Sequence, residues 1–230
     1  MQHRASSLSV ILLVALAAQF LVHWRIPPAQ ARAVDLQALP SVPVLRAASL
    51  DEPIALSKAL MLYLQAFDNQ PGLSIPFRDL DYARVEQWLT GIIALDPPSQ
   101  YPLLTASRLY AEVPVAAKQR GMLDFVERAF LQDPNRRWPW LAHAVVIAKH
   151  RLKDLPLASR YAADLREHAR GEAVPHWVQQ MEIFIREDMN EAESAKILLG
   201  GLLESGRVTD PKEWHFLSEQ LKELEGKNKP

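Results

Sequence analysis

The chain after residue 51 follows the pattern of amphipathic helices. Apolar positions recur there every three or four residues, and no stretch convincingly alternates apolar and polar residues in the manner of a strand. Prolines and polar loop residues divide this part of the chain into nine predicted helices. Their bounds are 53–67, 80–95, 102–113, 119–132, 139–152, 156–169, 175–187, 190–204 and 211–224. The pattern therefore predicts an all-α body.

Four prolines give this helical region a regular period. Pro102, Pro139, Pro175 and Pro211 follow one another at intervals of 37, 36 and 36 residues. Proline suits the first turn of a helix, because its missing N–H has no partner within the helix there, so we expect each to begin a new helix. A fixed period of this length with two helices per unit is typical of an α-solenoid. The predicted fold is an α-solenoid of about four helix pairs followed by a closing helix.

Motifs at matching offsets connect two of these units. Their first helices carry a bulky, a small and an aromatic or aliphatic residue in turn, and Asp-Pro pairs separate the units; the residues are Leu103, Ser107 and Tyr110, then Trp140, Ala144 and Ile147, with Asp96-Pro97 and Asp133-Pro134 between units. These features resemble the tetratricopeptide repeat family over roughly residues 53–224. The period is longer than the family's usual length of about 34 residues, and the third unit fits only through Trp177, Met181 and Phe184. The resemblance implies a solenoid whose first helices line a concave groove that holds an extended peptide.

The resemblance also indicates which side chains would face this groove and bind a partner protein. They are Tyr101, Leu104, Arg108 and Glu112 in one unit, and Arg137, Trp138, Leu141, Val145 and Lys149 in the next. The stretch 136–170 carries eight Lys and Arg against three Asp and Glu, a net charge of +5. The alternative is that the tryptophans fill the core between repeats and the charges are simply solvated.

The N-terminal segment predicts a membrane anchor. Residues 5–24 carry no formal charge, and twenty helical residues span about 30 Å, the thickness of a bilayer's hydrocarbon core. We expect residues 1–24 to form one transmembrane helix that contacts the membrane through residues 5–24, with the body outside the cytoplasm (periplasmic if the source is bacterial). The alternative is a signal peptide cleaved after Ala29-Gln30-Ala31, which gives a secreted body.

The remaining chain divides into a spacer, the body and a tail. Residues 25–51 contain four prolines and no sustained helical period, so we predict an extended linker that holds the body off the membrane. The repeat domain is predicted for residues 52–225, and a disordered tail for 226–230.

Composition excludes several classes of site. The chain has no cysteine, which excludes disulfides, thiolate nucleophiles and cysteine metal sites. Its 8 glycines among 230 residues are too few for a Gly-rich phosphate-binding architecture, and its net charge of −1 gives no general attraction to nucleic acid. His143 and His150 lie two helical turns apart, too far to share a metal ion, so no metal site and no cofactor are predicted. Gly200-Gly201, inside an apolar helix, indicates a close helix contact or a kink rather than a phosphate cradle.

No catalytic motif is present, and the chain is predicted not to be an enzyme. The favoured function is a membrane-tethered protein-interaction module, a scaffold or assembly factor for a cell-envelope complex, that binds a partner peptide or helix. The alternative is an enzyme, or a domain delivering substrate to one, that acts on an envelope glycan or lipid.

Overall fold

The computed structural model describes residues 2–25, 32–189, 191–206 and 208–226. The predicted cleavage site at residues 29–31 and residues 227–230 of the predicted tail lie outside this range. Within it the chain is all-α apart from one small hairpin, which confirms the expectation of an all-α body. The helices are α1 (Gln2–Arg25), α2 (Val42–Ala48), α3 (Pro53–Ala66), α4 (Tyr82–Leu95), α5 (Tyr101–Arg108), α6 (Ala116–Gln132), α7 (Pro134–His150), α8 (Leu155–His168), α9 (Trp177–Asp188), α10 (Ala192–Glu204) and α11 (Pro211–Gly226).

Short irregular elements connect these helices. Strands β1 (Asn69–Gln70) and β2 (Leu73–Ser74) pair antiparallel after α3, and single 3-10 turns lie at Phe77–Asp79 and Tyr110–Glu112. Carboxylates begin three of the described helices. Asp81 accepts hydrogen bonds from backbone N–H groups in the first turn of α4, and Asp154 and Asp210 each accept one in the first turn of α8 and α11.

Two of the four prolines do not begin a helix: Pro175 lies just before α9, which begins at Trp177, and the predicted start at Pro139 is wrong by five residues. Helix α7 begins at Pro134, and Pro139 lies inside it rather than at its first turn. Pro134 occupies the first turn of α7, which is the position that proline favours, so Pro139 falls in the second turn of the same helix. Pro139 cannot donate the usual hydrogen bond to the carbonyl of Asn135, the residue four positions earlier.

The predicted spacer is part of the folded body. Leu36, Leu39 and Leu45 are buried, and the indole of Trp88 on α4 donates to the carbonyl of Gln37 at 2.8 Å. The side-chain amide of Gln70 both accepts from the backbone N–H of Val34 and donates to its carbonyl, each at 2.8 Å. Residues 32–41, called the strap below, therefore lie along the body instead of extending away from it.

From α2 onward consecutive helices pack against one another, and α5 also contacts α7 as α4 contacts α6. Polar contacts join next-but-one helices across regular distances in sequence. Gln65 on α3 bonds Tyr101 on α5, 36 residues on, Asp124 on α6 accepts from Arg160 on α8, again 36 residues on, and Gln180 on α9 bonds Glu213, 33 residues on. The odd-numbered helices α3 to α11 thus form one row, and α4, α6 and α8 a second.

Helix α1 differs from the others in its surroundings. Every described side chain from Ile11 to Val22 is exposed, including large aliphatic and aromatic ones. Among the described residues, no helix meets the combined length and hydropathy that a membrane span requires. The transmembrane anchor therefore stays a prediction.

Candidate partner-binding surface

The predicted partner-binding residues divide between the interior and the surface. Arg137, Leu141 and Val145 are 2%, 0% and 1% exposed, so the expectation that they face an open groove is wrong. They lie on α7, which packs against α5, α6 and α8. With neighbours on three sides, this helix has little of its circumference left for a partner.

Arg137 holds the ends of two helices together. Its guanidinium donates to the carbonyl of Ala129 in the last turn of α6 at 2.7 Å and to the carbonyl of Pro97 just after α4 at 3.0 Å. A cation at a helix C-terminus complements the unsatisfied carbonyls there. Burial lowers the pKa of Arg137, with Arg136 adding to this effect and Asp133 opposing it. We assign Arg137 a structural role.

The other predicted residues reach the surface. Tyr101 is 46% exposed, and its hydroxyl exchanges hydrogen bonds with the side-chain amide of Gln65. On the same helix Leu104 is half-buried and Arg108 is exposed. Lys149 forms an ion pair with Asp188 on α9.

Trp138 is half-buried and packs edge to face against the exposed Trp177, with ring centroids 5.5 Å apart. Trp214 is 50% exposed on α11, and its neighbour Glu213 accepts a hydrogen bond from Gln180, one turn beyond Trp177. At the other side of Trp138, Trp140 donates to Gln100 beside Tyr101 at 2.6 Å.

Four aromatic side chains recur along these odd-numbered helices, and two of them, Trp138 and Trp177, are in contact. Tyr101, Trp138, Trp177 and Trp214 lie near the N-terminal ends of α5, α7, α9 and α11, at intervals of 37 to 39 residues. We call these four the aromatic row. Partly exposed aromatic rings are more typical of binding surfaces than of general protein surface.

The opposite ends of α5 and α7 carry a charged cluster. Arg151 donates to the carboxylate of Glu112 at 2.9 Å and to its backbone carbonyl at 3.1 Å. The Nε2 atom of His143 is buried and lies 4.0 Å from the Glu112 carboxylate, beyond hydrogen-bond distance. Burial and the charge of Arg108 lower the pKa of His143, Glu112 opposes them, and Arg151 adds a smaller lowering. His143 is therefore neutral at pH 7.

Sequence reasoning missed a second charged cluster, between α6 and α8. Arg160 contacts the carboxylates of Asp124 at 2.8 Å and Glu127 at 2.9 Å, and the hydroxyl of Tyr161 donates to Asp124 at 2.8 Å. Burial and a shared hydrogen bond with Asp164 raise the pKa of Glu127 to about 7, against the attraction of Arg160. The signal that could have found this cluster is the interval of 36 residues between Asp124 and Arg160, the same as the repeat period.

Metal chemistry finds no support in the described part of the chain, which holds no group of three or more His, Asp or Glu side chains placed to bind one ion. A comparison with protein families, curated proteins and solved structures finds no match to this chain. Proposals about function therefore depend on the geometry of the chain itself.

Proposed function

We propose that the chain is a membrane-tethered protein-interaction module that binds a partner protein on the aromatic row. Its role would be that of a scaffold or assembly factor in a cell-envelope complex. The observation that carries this proposal is the recurrence of an exposed or half-buried aromatic ring near the start of four successive odd-numbered helices.

The repeat architecture is supported by where the long-range contacts fall. Contacts between next-but-one helices join residues roughly one repeat apart, as between Gln65 and Tyr101 or Trp138 and Trp177. A tetratricopeptide-like solenoid needs this arrangement, because each unit contacts only its neighbours. In such a solenoid the odd-numbered helices would run parallel, and their equivalent side chains would form a continuous surface.

The energetics of protein interfaces favour the row as the main contact. Tryptophan and tyrosine dominate the binding energy of most interfaces, because their rings bury a large area with few rotatable bonds. Tyr101 and Trp177 are already restrained by contacts within the fold. Binding would therefore cost less conformational entropy than ordering free side chains.

The tether is proposed from α1. Its exposed apolar side chains between Ile11 and Val22 would bury well in a lipid phase. A membrane span through residues 5–24 with its short basic N-terminus in the cytoplasm would place the body outside the cytoplasm. The strap begins at residue 32, shortly after this helix in sequence. Confinement at the membrane raises the effective concentration of the module toward a membrane-bound partner.

Retention of a partner by tagged protein from detergent-solubilised membranes tests the proposal. The variant carries Trp177→Ala and Trp214→Ala. Phe216→Ala is the matched control, since Phe216 is as exposed as Trp214 and lies two residues on, about 200° around the same helix. Arg137 is left unchanged, because its loss would disturb two helix ends.

We expect a partner that is retained by the unaltered protein and by Phe216→Ala, and lost with the double variant. Equal retention by all three proteins would contradict the proposal. Binding of an envelope glycan or lipid by the purified protein, with no protein retained, would favour the alternative function.

A further inference from the structure

A second candidate surface lies between α8 and α10, with α9 beneath it. The two helices enclose a cavity of about 270 Å³. Its apolar walls include Ile183, Leu198 and Leu202, and Ile197 at its margin is 74% exposed. We call this cavity and its margin the α8–α10 groove.

Gly201, the second of two consecutive glycines, lines one wall of the groove and leaves it open. A Cβ atom placed on Gly200 or Gly201 would meet no atom within 4 Å, and α10 runs unbroken through both. The sequence interpretation of this pair as a close helix contact is therefore wrong within the described structure. The bare backbone at Gly201 instead leaves room for another chain to approach α10 closely.

Arginines from α8 and the loop after it form the opposite wall. The charge of Arg166 is compensated by Glu182 at 2.6 Å and Glu167 at 3.1 Å. Arg170 forms no ion pair among the described residues, and its Nε makes only a long hydrogen bond of 3.5 Å to the carbonyl of Arg166. The charge of Arg170 is therefore available to an acidic group beside the apolar walls.

We propose that the α8–α10 groove binds an amphipathic helix of a partner protein that carries an acidic residue beside its apolar face. Apolar side chains of the helix enter between Ile197, Leu198 and Leu202, its backbone approaches Gly201, and its acidic residue pairs with Arg170. Binding of an amphipathic helix in a groove between helices is a recurring mode of recognition.

This surface is separate from the aromatic row. The row lies on the odd-numbered helices, whereas the groove opens between the even-numbered helices α8 and α10. The two proposals therefore fail independently. Changes at Arg170 or Gly201 leave the rings of the row in place, and changes at Trp177 or Trp214 leave the walls of the groove unaltered.

The test uses the full-length protein and a defined probe. The probe is a synthetic fluorescein-labelled helix with leucines at i, i+3, i+4 and i+7 and glutamates flanking the leucine face, and its charge-inverted form carries lysines instead. Fluorescence anisotropy should give a Kd of about 100 µM or tighter for the acidic probe. Arg170→Glu should weaken that binding about tenfold and improve binding of the lysine probe.

A second variant tests the apolar part of the groove. Gly201→Leu should abolish binding of the acidic probe, because its side chain occupies the open wall. Gly121→Leu is the matched control, since Gly121 is also exposed in a helix with nothing within 4 Å of its Cβ position. Both substitutions favour helix formation, so loss of folding does not confound the comparison.

Unchanged binding of the acidic probe by Arg170→Glu and Gly201→Leu would overturn the proposal. Failure of the unaltered protein to bind that probe would do so as well. A third arm replaces the probe with vesicles of anionic phospholipid. Vesicle binding that both variants lose, without probe binding, would assign the groove to lipid instead of a helix.

Discussion

The body contains two apolar cores, and one of them is packed more completely than the other. The larger core runs from the strap to α9 and includes fully buried aromatic side chains such as Tyr110, Phe130 and Tyr161. The smaller core joins α9, α10 and α11 through aliphatic residues, and among the described residues it contains no aromatic ring. The aromatic residues of α11 are instead about half exposed, at Trp214 and Phe216.

This difference in packing indicates where the protein leaves apolar surface to which other chains can bind. In the larger core the helices cover one another on several sides, which is why three of the predicted groove residues are buried. In the C-terminal region the helices have fewer neighbours, and apolar area is left exposed at Trp177, Ile197 and Trp214. Exposed apolar area that clusters, as at the contact between Trp138 and Trp177, is typical of an interaction site.

The largest effect should come from a cavity in the main core. Leu141→Ala removes a fully buried side chain from α7, and we expect it to lower the free energy of unfolding by about 3–5 kcal/mol. Leu202→Ala, beside the open α8–α10 groove, should cost about 2 kcal/mol or less, because the groove is already incompletely filled. Urea unfolding followed by circular dichroism measures both. Equal losses would show that the two cores do not differ in packing.

A smaller effect, which depends on pH, is expected between α6 and α8. The pKa of Glu127 is about 7 in the folded protein against an ordinary value of 4.5, so the folded state binds this proton more tightly than the unfolded chain. Its stabilising effect is present below pH 4.5 and is lost as the pH rises to about 7.

Glu127→Gln should remove this dependence and raise the free energy of unfolding at pH 8 by on the order of 1 kcal/mol relative to the unaltered protein. The difference between the two proteins should be measured across pH 5–8, which separates Glu127 from other titrating groups such as His143. A difference that stays constant over that range would contradict the assignment.

The contact between the strap and α4 gives a third prediction. A Cβ atom on Gly91 would come within 2.2 Å of Leu39 Cδ2, so Gly91→Ala should displace the strap at a cost of about 1 kcal/mol. Because Leu45 on α2 lies beside the same position, trypsin should then cleave faster after Arg46 on α2, whose side chain is held by the carbonyl of Ala94. Gly121→Ala, with open space around it, should leave the cleavage rate unchanged. A cleavage rate at Arg46 that Gly91→Ala does not alter would show that the strap tolerates the added methyl group.

The smallest effect is a gain in stability in the C-terminal region. Gly200→Ala adds a methyl group to open space in a helix and should raise the free energy of unfolding by about 0.5–1 kcal/mol. Thermal unfolding measures it. A loss of stability would contradict the prediction.

The helices were predictable because their signals are local. Asp81 and Asp154 cap α4 and α8 through their own side chains, and proline begins α11 as expected. The start of α7 was not predictable, because Pro134 and Pro139 both suit a first turn. Only the packing of the preceding loop decides between them.

Burial and docking could not be read from the sequence in the same way. Arg137 gave the signal of a charged surface residue, yet the carbonyls of Ala129 and Pro97 that hold it become neighbours only after α4 and α6 have packed. The position of the strap could not be predicted for the same reason, since the hydrogen bonds to its backbone come from Gln70 and Trp88 in distant parts of the chain. Two of the four residues of the aromatic row, Tyr101 and Trp138, were predicted from the sequence.

Site-specific crosslinking tests the central claim most directly, since the chain has no cysteine and accepts a single introduced one. Trp177→Cys places a photoreactive label in the aromatic row, and Phe216→Cys places the same label on an equally exposed position outside it. After irradiation in native membranes, we expect a discrete crosslinked partner from the position in the row and none from the control. The same products from both positions, or none from either, would contradict partner binding on the aromatic row.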